Sequence, residues 1–452
     1  MAEISPFRGL YFDSSKVPDL NKVITPPYDV IELEQQEEFF RRSPYNMIHL
    51  ILGMHCSLDD PDAEEQYDRA GRLFKQWLEE GVLRRDPVPA IYPYEIEYKL
   101  SPSLSKKRKG FICLLKLEEF ATGCVRPHEK TYETTKSERL KLMCCCNANL
   151  SQIFALYSDP ADVVMHYLEQ GREADPMIDF EDETGIKHKI WRTTDKAILR
   201  KVHSLMRDKS IFIADGHHRY ETALNYMRMM REKYPDRGEK ASFNYVMVYL
   251  ANLNHSGVSI LPTHRMLTEF SDFDLNGFLQ KAKEYFEIDE YPFDTSNKTA
   301  VLDDFLKELK SHEKKGGAFG FYVRGVNKFF LLRGNRELIK SYLANKKFPE
   351  AMQSLDVVIL THLILKDLLQ ISDDFLNNEK KMWYEHDAYK AISLVDSGQY
   401  KMTFLINPTR IDQVQAIASA GLIMPHKATY FYPKVITGTI INLIDPDEDV
   451  DF

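Results

Sequence analysis

The sequence contains no run of about 18 consecutive apolar residues, which leaves no candidate for a transmembrane helix of ordinary length. Its start, MAEISPFRGLYFDSSKV, lacks a basic stretch followed by an apolar one, so it does not read as a secretory signal and the cytoplasm is the default location. An excess of positive charge is missing too. The formal net charge of −9 argues against a general nucleic-acid binder, so neither nucleic acid nor membrane is expected as a partner. The six cysteines (Cys56, Cys113, Cys124, Cys144, Cys145 and Cys146) form no C-x-x-C pair and no metal-ligand spacing. The Cys144-Cys145-Cys146 run falls in a helical pattern that turns its thiols in different directions, and free buried or half-buried thiols are expected. Also absent are a G-x-x-x-x-G-K-[ST] loop, a dinucleotide glycine fingerprint, and the H-x-x-x-H spacing of a zinc helix. There is no internal repeat and no low-complexity linker.

What is present is ample material for cores. The 452 residues are 44% apolar and 12% aromatic, enough for two or three domains. Ser210–Leu224 stands out. Ser210-Ile211-Phe212-Ile213-Ala214 reads as a buried strand, Asp215-Gly216 breaks it, and His217, His218 and Arg219 follow at once. Tyr220, Ala223, Leu224, Met227 and Met230 then recur at helical spacing. Polar and cationic groups therefore occupy the first turn of a helix leaving a strand, where free backbone N–H groups and the helix dipole suit an anion, above all a phosphate. Gly216 lets a phosphate approach the backbone. Arg219 offers a planar fork, and the histidines can donate. Asp215 can cap the helix, hold a metal or accept a proton.

Two further segments carry similar chemistry. Arg126-Pro127-His128-Glu129-Lys130-Thr131 is a rigid loop in which Glu129 is a candidate general base. His128 and Asp215 are further catalytic candidates, and Arg126 and Thr131 are candidate ligand contacts. Lys427, Thr429 and Lys434, among the aromatics of Lys427–Lys434, form a second candidate anion-contact segment. The Pro26-Pro27 turn is rigid and places Tyr28 or Asp29 as a wall of the site or as a domain edge. His264-Arg265 either faces the same pocket or forms a structural ion pair. Lys106-Lys107-Arg108-Lys109 reads as a solvated hairpin loop between two strands. The expected organisation is an N-terminal loop and helical region at 1–90, a core at 91–265, an α/β insertion at 266–345, and a C-terminal α/β region at 346–452 that returns a strand or loop to the site.

The motifs PPYDVI (Pro26–Ile31), RPHEKT (Arg126–Thr131), ADGHHRYETAL (Ala214–Leu224), LPTHR (Leu261–Arg265) and TYFYPK (Thr429–Lys434) together resemble a widespread family of domains of unknown function. The D-G-H-H-R turn is similar to the nucleotide-binding motif of the ParB/sulfiredoxin superfamily, and within it to the ADP-dependent free serine kinases. Those share a P-H-E loop, matched by Pro127-His128-Glu129, and a late Pro-Lys and Thr segment, matched from Pro425 to Thr429. The resemblance implies an α+β fold: a mixed-sheet core with a ParB/sulfiredoxin-like strand–D-G-H-H-R–helix unit and additional α/β segments. It implies that Gly216, His217, His218 and Arg219 hold the phosphates of ATP or ADP, with Mg²⁺ bridging them, and that Glu129 positions or deprotonates a substrate hydroxyl. There are departures. His426 stands between Pro425 and Lys427, and His217 stands where the sulfiredoxins carry cysteine, which removes sulfinic-acid chemistry. No DNA-binding helical domain of the ParB type is evident. The implied function is a nucleotide-dependent phosphotransferase acting on a small hydroxylated metabolite, with free L-serine as the specific form. The alternatives are a non-catalytic nucleotide-binding switch and an NTP or phosphoester hydrolase. The oligomeric state is open, a homodimer being one option.

Overall fold

The computed structural model of the chain describes residues 1–53, 63–121, 123–129, 133–270, 273–378 and 380–450. The chain divides into two compact units. One comprises Met1–Pro127, Thr131–Ser259 and Pro433–Phe452, the other His128–Lys130 and Ile260–Tyr432. The expected core at 91–265 lies almost wholly in the first. The segments 266–345 and 346–432 share the second.

The first unit is organised by a nine-stranded mixed sheet. Its strands are β1 (Ile4–Ser5), β2 (Tyr92–Ser101), β3 (Leu104–Lys116), β4 (Val125–Arg126), β5 (Ile153–Tyr157), β6 (Ile178–Glu181), β7 (Lys187–Ile190), β8 (Ile211–Asp215) and β9 (Tyr245–Asn252). Their order is β4-β8-β5-β9-β3-β2-β7-β6, with β1 on β3. β4 and β8 run parallel, as do β5 and β9; the other neighbours are antiparallel. β8 and β9 are buried along their whole length, and both read as continuous apolar runs. Helices α1 (Glu133–Cys146) and α2 (His217–Lys233) belong to the same unit. Tyr220, Leu224 and Met227 of α2 enter one core with Ile153, Ile211, Ile213 and Val248. A second core gathers Leu10, Ile48, Trp77 and Ile441.

The basic run Lys106–Lys109 is not a loop, which corrects the sequence reading. It lies within β3, and the turn falls earlier, at Pro102-Ser103. Alternation explains why a strand tolerates it. Lys107 reaches Glu95 at 3.1 Å and Lys109 reaches Glu169 at 2.6 Å. Arg108, on the opposite face, is wholly buried, with its guanidinium 4.5 Å from the Phe154 ring centroid and 5.5 Å from that of Tyr249. A flat cation over two aromatic faces is held by the ring quadrupoles. The cysteines follow expectation: Cys113 and Cys146 are buried, and Cys124, Cys144 and Cys145 are half-buried, all free. Burial pushes the Cys124 thiol up to about 11 and Cys146 up to about 12, so both stay protonated. Cys56 lies outside the described residues.

The second unit holds a six-stranded antiparallel sheet. Its strands are β10 (His264–Leu267), β11 (Phe286–Pro292), β12 (Ala318–Val323), β13 (Lys328–Gly334), β14 (Met382–Glu385) and β15 (Met402–Ile406), in the order β11-β13-β12-β15-β10-β14. Phe305, Phe329, Leu331 and Leu405 anchor its core. The whole is an α+β protein with a mixed sheet, as the sequence reading expects.

The long central strands have little room for change. A methyl group on Gly110 of β3 would lie 2.4 Å from the Leu250 carbonyl oxygen and 2.7 Å from the Tyr249 ring. Gly110→Ala is expected to destabilise the protein by about 1–3 kcal/mol, read as a lower unfolding midpoint in a denaturant titration.

Candidate functional site

The first unit forms the expected strand–turn–helix corner. β8 ends at Asp215, and Gly216 takes φ +90°, a left-handed conformation that glycine adopts without penalty. α2 begins at His217. A Cβ at position 216 would sit 2.9 Å from the Arg219 Nε, so the missing side chain also makes room for that guanidinium. Asp215 is 9% exposed. Arg219 Nη2 donates to its Oδ2 at 2.6 Å, and the Lys434 ammonium donates to its Oδ1. The other end of the Arg219 fork is tied down as well: Nη1 donates to Ser151 Oγ at 3.1 Å and to the Gln152 carbonyl. Burial alone would raise the Asp215 carboxyl. The two cations beside it, with a contribution from His217, hold it below the usual carboxylate range. His217 is buried and His218 half-buried.

Arg219 and Lys434, both expected to contact an anion, thus share one carboxylate. Two positive charges against one negative leave the corner positive, at a helix N-terminus whose first N–H groups have no intrahelical acceptor. Arg126 is half-buried on β4, where it pairs with Phe212 of β8. Thr131 lies outside the described residues.

A pocket adjoins the corner within the same unit. Tyr28, Arg139, Asn149, Ser151, Arg219, Thr222 and Thr437 supply its polar lining. Of the two residues that the Pro-Pro turn offered, Tyr28 is the one lining the pocket. Burial pushes its phenol up to about 12, so it remains a donor at neutral pH. The Arg139 guanidinium covers the Tyr28 ring at 4.2 Å and donates to the Ile51 carbonyl at 2.7 Å. Arg139, Ser151, Thr222 and Thr437 were not singled out from sequence. They sit among ordinary helical or loop residues, and only the fold brings them together.

His128 and Glu129 belong to the second unit, where they meet Met424, Lys427 and Thr429. His128 is 1% exposed; its Nε2 lies 3.1 Å from Thr429 Oγ1, and its carbonyl accepts from Met424 N at 2.8 Å. Glu129 Oε1 accepts from the Lys427 backbone N–H at 3.3 Å and lies 3.4 Å from His426 Nδ1. His426, inserted between Pro425 and Lys427, is therefore a neighbour of the candidate base. Lys427 takes φ +54°. Its carbonyl accepts from Thr263 Oγ1 at 2.8 Å and from Arg265 Nη2 at 3.2 Å.

His264 and Arg265 both have partners inside the second unit. His264 Nδ1 accepts from the Ile406 backbone, and burial holds its pKa down to about 3, so it stays neutral. Arg265, whose pKa burial lowers to about 10, stacks 4.9 Å from the Tyr384 ring centroid and braces the Lys427 loop. Among the described residues no group of three or more His, Cys, Asp or Glu is placed to hold a metal ion.

The sequence model of one family, described as "Protein of unknown function (DUF1015)", matches residues 4–358. No curated protein matches the chain. Among solved structures, a conserved hypothetical protein from Pyrococcus furiosus is similar at 13% identity, covering 71% of this chain and 93% of its own, with a TM-score of 0.32. A free serine kinase mutant in complex with AMP is similar at 11% identity, covering 75% and 92%, with a TM-score of 0.35. A C-terminally truncated SbnI from Staphylococcus aureus is similar at 9% identity, covering 75% and 91%, with a TM-score of 0.34.

Asp215→Asn leaves two half-buried cations with a weaker shared partner. It is expected to cost about 3 kcal/mol of stability at neutral pH, measured by denaturant unfolding. Because the folded carboxyl lies below its unfolded value, the wild-type contribution is complete above about pH 4 and fades as pH falls through the folded pKa. The gap between wild type and variant should close over that acidic range.

Proposed function

We propose that this chain, which belongs to the DUF1015 family, is a nucleotide-dependent phosphotransferase that phosphorylates a small hydroxylated metabolite, with free L-serine as the simplest candidate. The observation that carries the reading is the positive corner at Asp215–Arg219. A strand end, a left-handed glycine and a helix N-terminus meet there, with Arg219 and Lys434 balanced by one buried carboxylate. In this reading the corner holds phosphates of ATP or ADP: Gly216 admits them, the first N–H groups of α2 and His218 donate to them, and Arg219 and Lys434 supply charge. Arg126, Thr131, Lys427 and Thr429 are proposed as further contacts to the bound nucleotide. His128 and Glu129 are proposed as the catalytic pair. Glu129 takes the proton of the acceptor hydroxyl, and its carboxylate is aimed by the Lys427 N–H and the His426 ring. His128, set against Thr429, fixes the loop from which Glu129 projects.

Mg²⁺ is the usual companion of nucleotide phosphates. The donor set at the corner does not fit a resident ion, because the Asp215 oxygens already face Lys434 and Arg219. The chain carries no helix long and apolar enough to cross a membrane among the described residues, and the proposed reaction needs only diffusible substrates.

One observation favours a second reading, a non-catalytic nucleotide switch. Lys434 joins Asp215 from the far end of the chain, so a ligand that engaged Lys434 would pull on the segment that closes the first unit.

A thermal-shift screen tests the binding half of the proposal. ATP, ADP or AMP is expected to raise the melting temperature of wild type and not of Arg219→Ala; an equal shift in both would place the nucleotide elsewhere. The catalytic half is tested by phosphate transfer from ATP or ADP to hydroxylated acceptors. Glu129→Gln should lower turnover by about 10²–10⁴-fold while leaving the nucleotide-induced thermal shift intact. Binding without transfer in the wild type would favour the switch.

A further inference from the structure

We propose that the pocket beside Arg219 is the acceptor subsite, and that it takes a short carboxylic acid carrying a hydroxyl group and an aliphatic body. The proposal rests on the phosphotransferase reading only for the word acceptor. The class of ligand follows from the lining.

Two hydroxyls in that lining are buried and lack a hydrogen-bond partner: Thr222 Oγ1, on a residue 3% exposed, and Thr437 Oγ1, on a residue 1% exposed. Leaving a buried hydroxyl unmatched is costly, and proteins do so where a ligand or water completes the set. A third group is in the same condition. Arg139 gives Nη1 to the Ile51 carbonyl, while its buried Nε has no partner. Arg219 lines the same pocket with a guanidinium already fixed at Nη1. Two guanidinium groups held in place suit a planar carboxylate. The unmatched threonines suit a group that both donates and accepts, as a hydroxyl does.

Beside Asn149 and Ser151, the remaining wall is mostly aliphatic: Leu142, Met143, Leu150, Ile153 and Val246. A nucleobase would seek an aromatic face to stack on, and the only aromatic ring among the described residues of the lining, that of Tyr28, is covered by Arg139 at 4.2 Å. The lining therefore selects a branched or extended aliphatic body. Free serine, with a single side-chain carbon, would leave that wall uncovered.

Isothermal titration calorimetry on the full chain tests this with 2-hydroxy-4-methylpentanoate, L-serine, 3-methyl-1-butanol and, separately, AMP. The hydroxy acid is expected to bind about tenfold or more tightly than L-serine, and the alcohol, which lacks the carboxylate, to give no measurable heat. Thr437→Val and Arg139→Met should each weaken the hydroxy acid by about tenfold, while Thr437→Ser, which keeps the hydroxyl, retains wild-type affinity. AMP affinity should be unchanged in all three. L-serine binding as tightly as the hydroxy acid, an unaltered affinity in Thr437→Val, or adenosine competing with the hydroxy acid would each overturn the proposal. Hydroxy-acid binding in a protein that binds none of ATP, ADP and AMP would sink the phosphotransferase reading and leave the ligand class standing.

Discussion

The carboxylate of Asp215 is shared by two cations that reach it by different routes. Arg219 comes from the first turn of the helix that follows it. Lys434 comes from more than 200 positions later, where the chain re-enters the first unit. Much of that unit depends on this exchange. The re-entering segment brings Thr437 against Thr25, Ile441 against Leu10, and Asn442 against Asn149. Each of these contacts presupposes that the segment starts in the right place. A buried carboxylate with a single partner would be a poor anchor, since desolvation offsets most of the attraction. With two partners the pair forces exceed the burial penalty, which is why the Asp215 carboxyl lies below its ordinary range despite being enclosed.

In the second unit the analogous fixed point is Arg265. Burial moves its pKa down to about 10, still far above neutrality, so it remains a cation inside the protein. It spends that charge on the Lys427 carbonyl and the Tyr384 ring. The loop so braced turns through a left-handed Lys427 and aims its N–H at Glu129. A lysine in that conformation is strained, and strain of this kind persists only where surrounding contacts over-determine it. The histidine inserted after Pro425 is part of the same arrangement, since its ring faces the Glu129 carboxylate.

Much of this was legible in the sequence. The periodic segments with clear stops, such as α2 ending before Pro235 or β12 following Gly316-Gly317, appear where spacing placed them. What was not legible has several physical causes. Alternation can hide charge in a strand, so Lys106–Lys109 looked like a loop although Arg108 is wholly buried. The short strands β6 and β7 carry too few apolar positions to announce themselves. Thr222 and Thr437 become notable only through what they lack, a property of three-dimensional surroundings that no local pattern encodes.

The ion cluster also bears on how an anion enters the corner. A phosphate could displace Asp215 or join it. Displacement would leave a carboxylate that is 9% exposed without its counter-charges, at a cost of several kcal/mol. It would also have to free Arg219 from the Ser151 and Gln152 contacts that fix its plane. Addition needs neither. The cluster already carries one positive charge in excess, and the first N–H groups of α2 stand beside it. A phosphate that adds leaves the Lys434 tie and the closing segment where they are. The corner is thereby better suited to holding a reactant still than to signalling its arrival, and this physical preference weighs toward transfer over a switch.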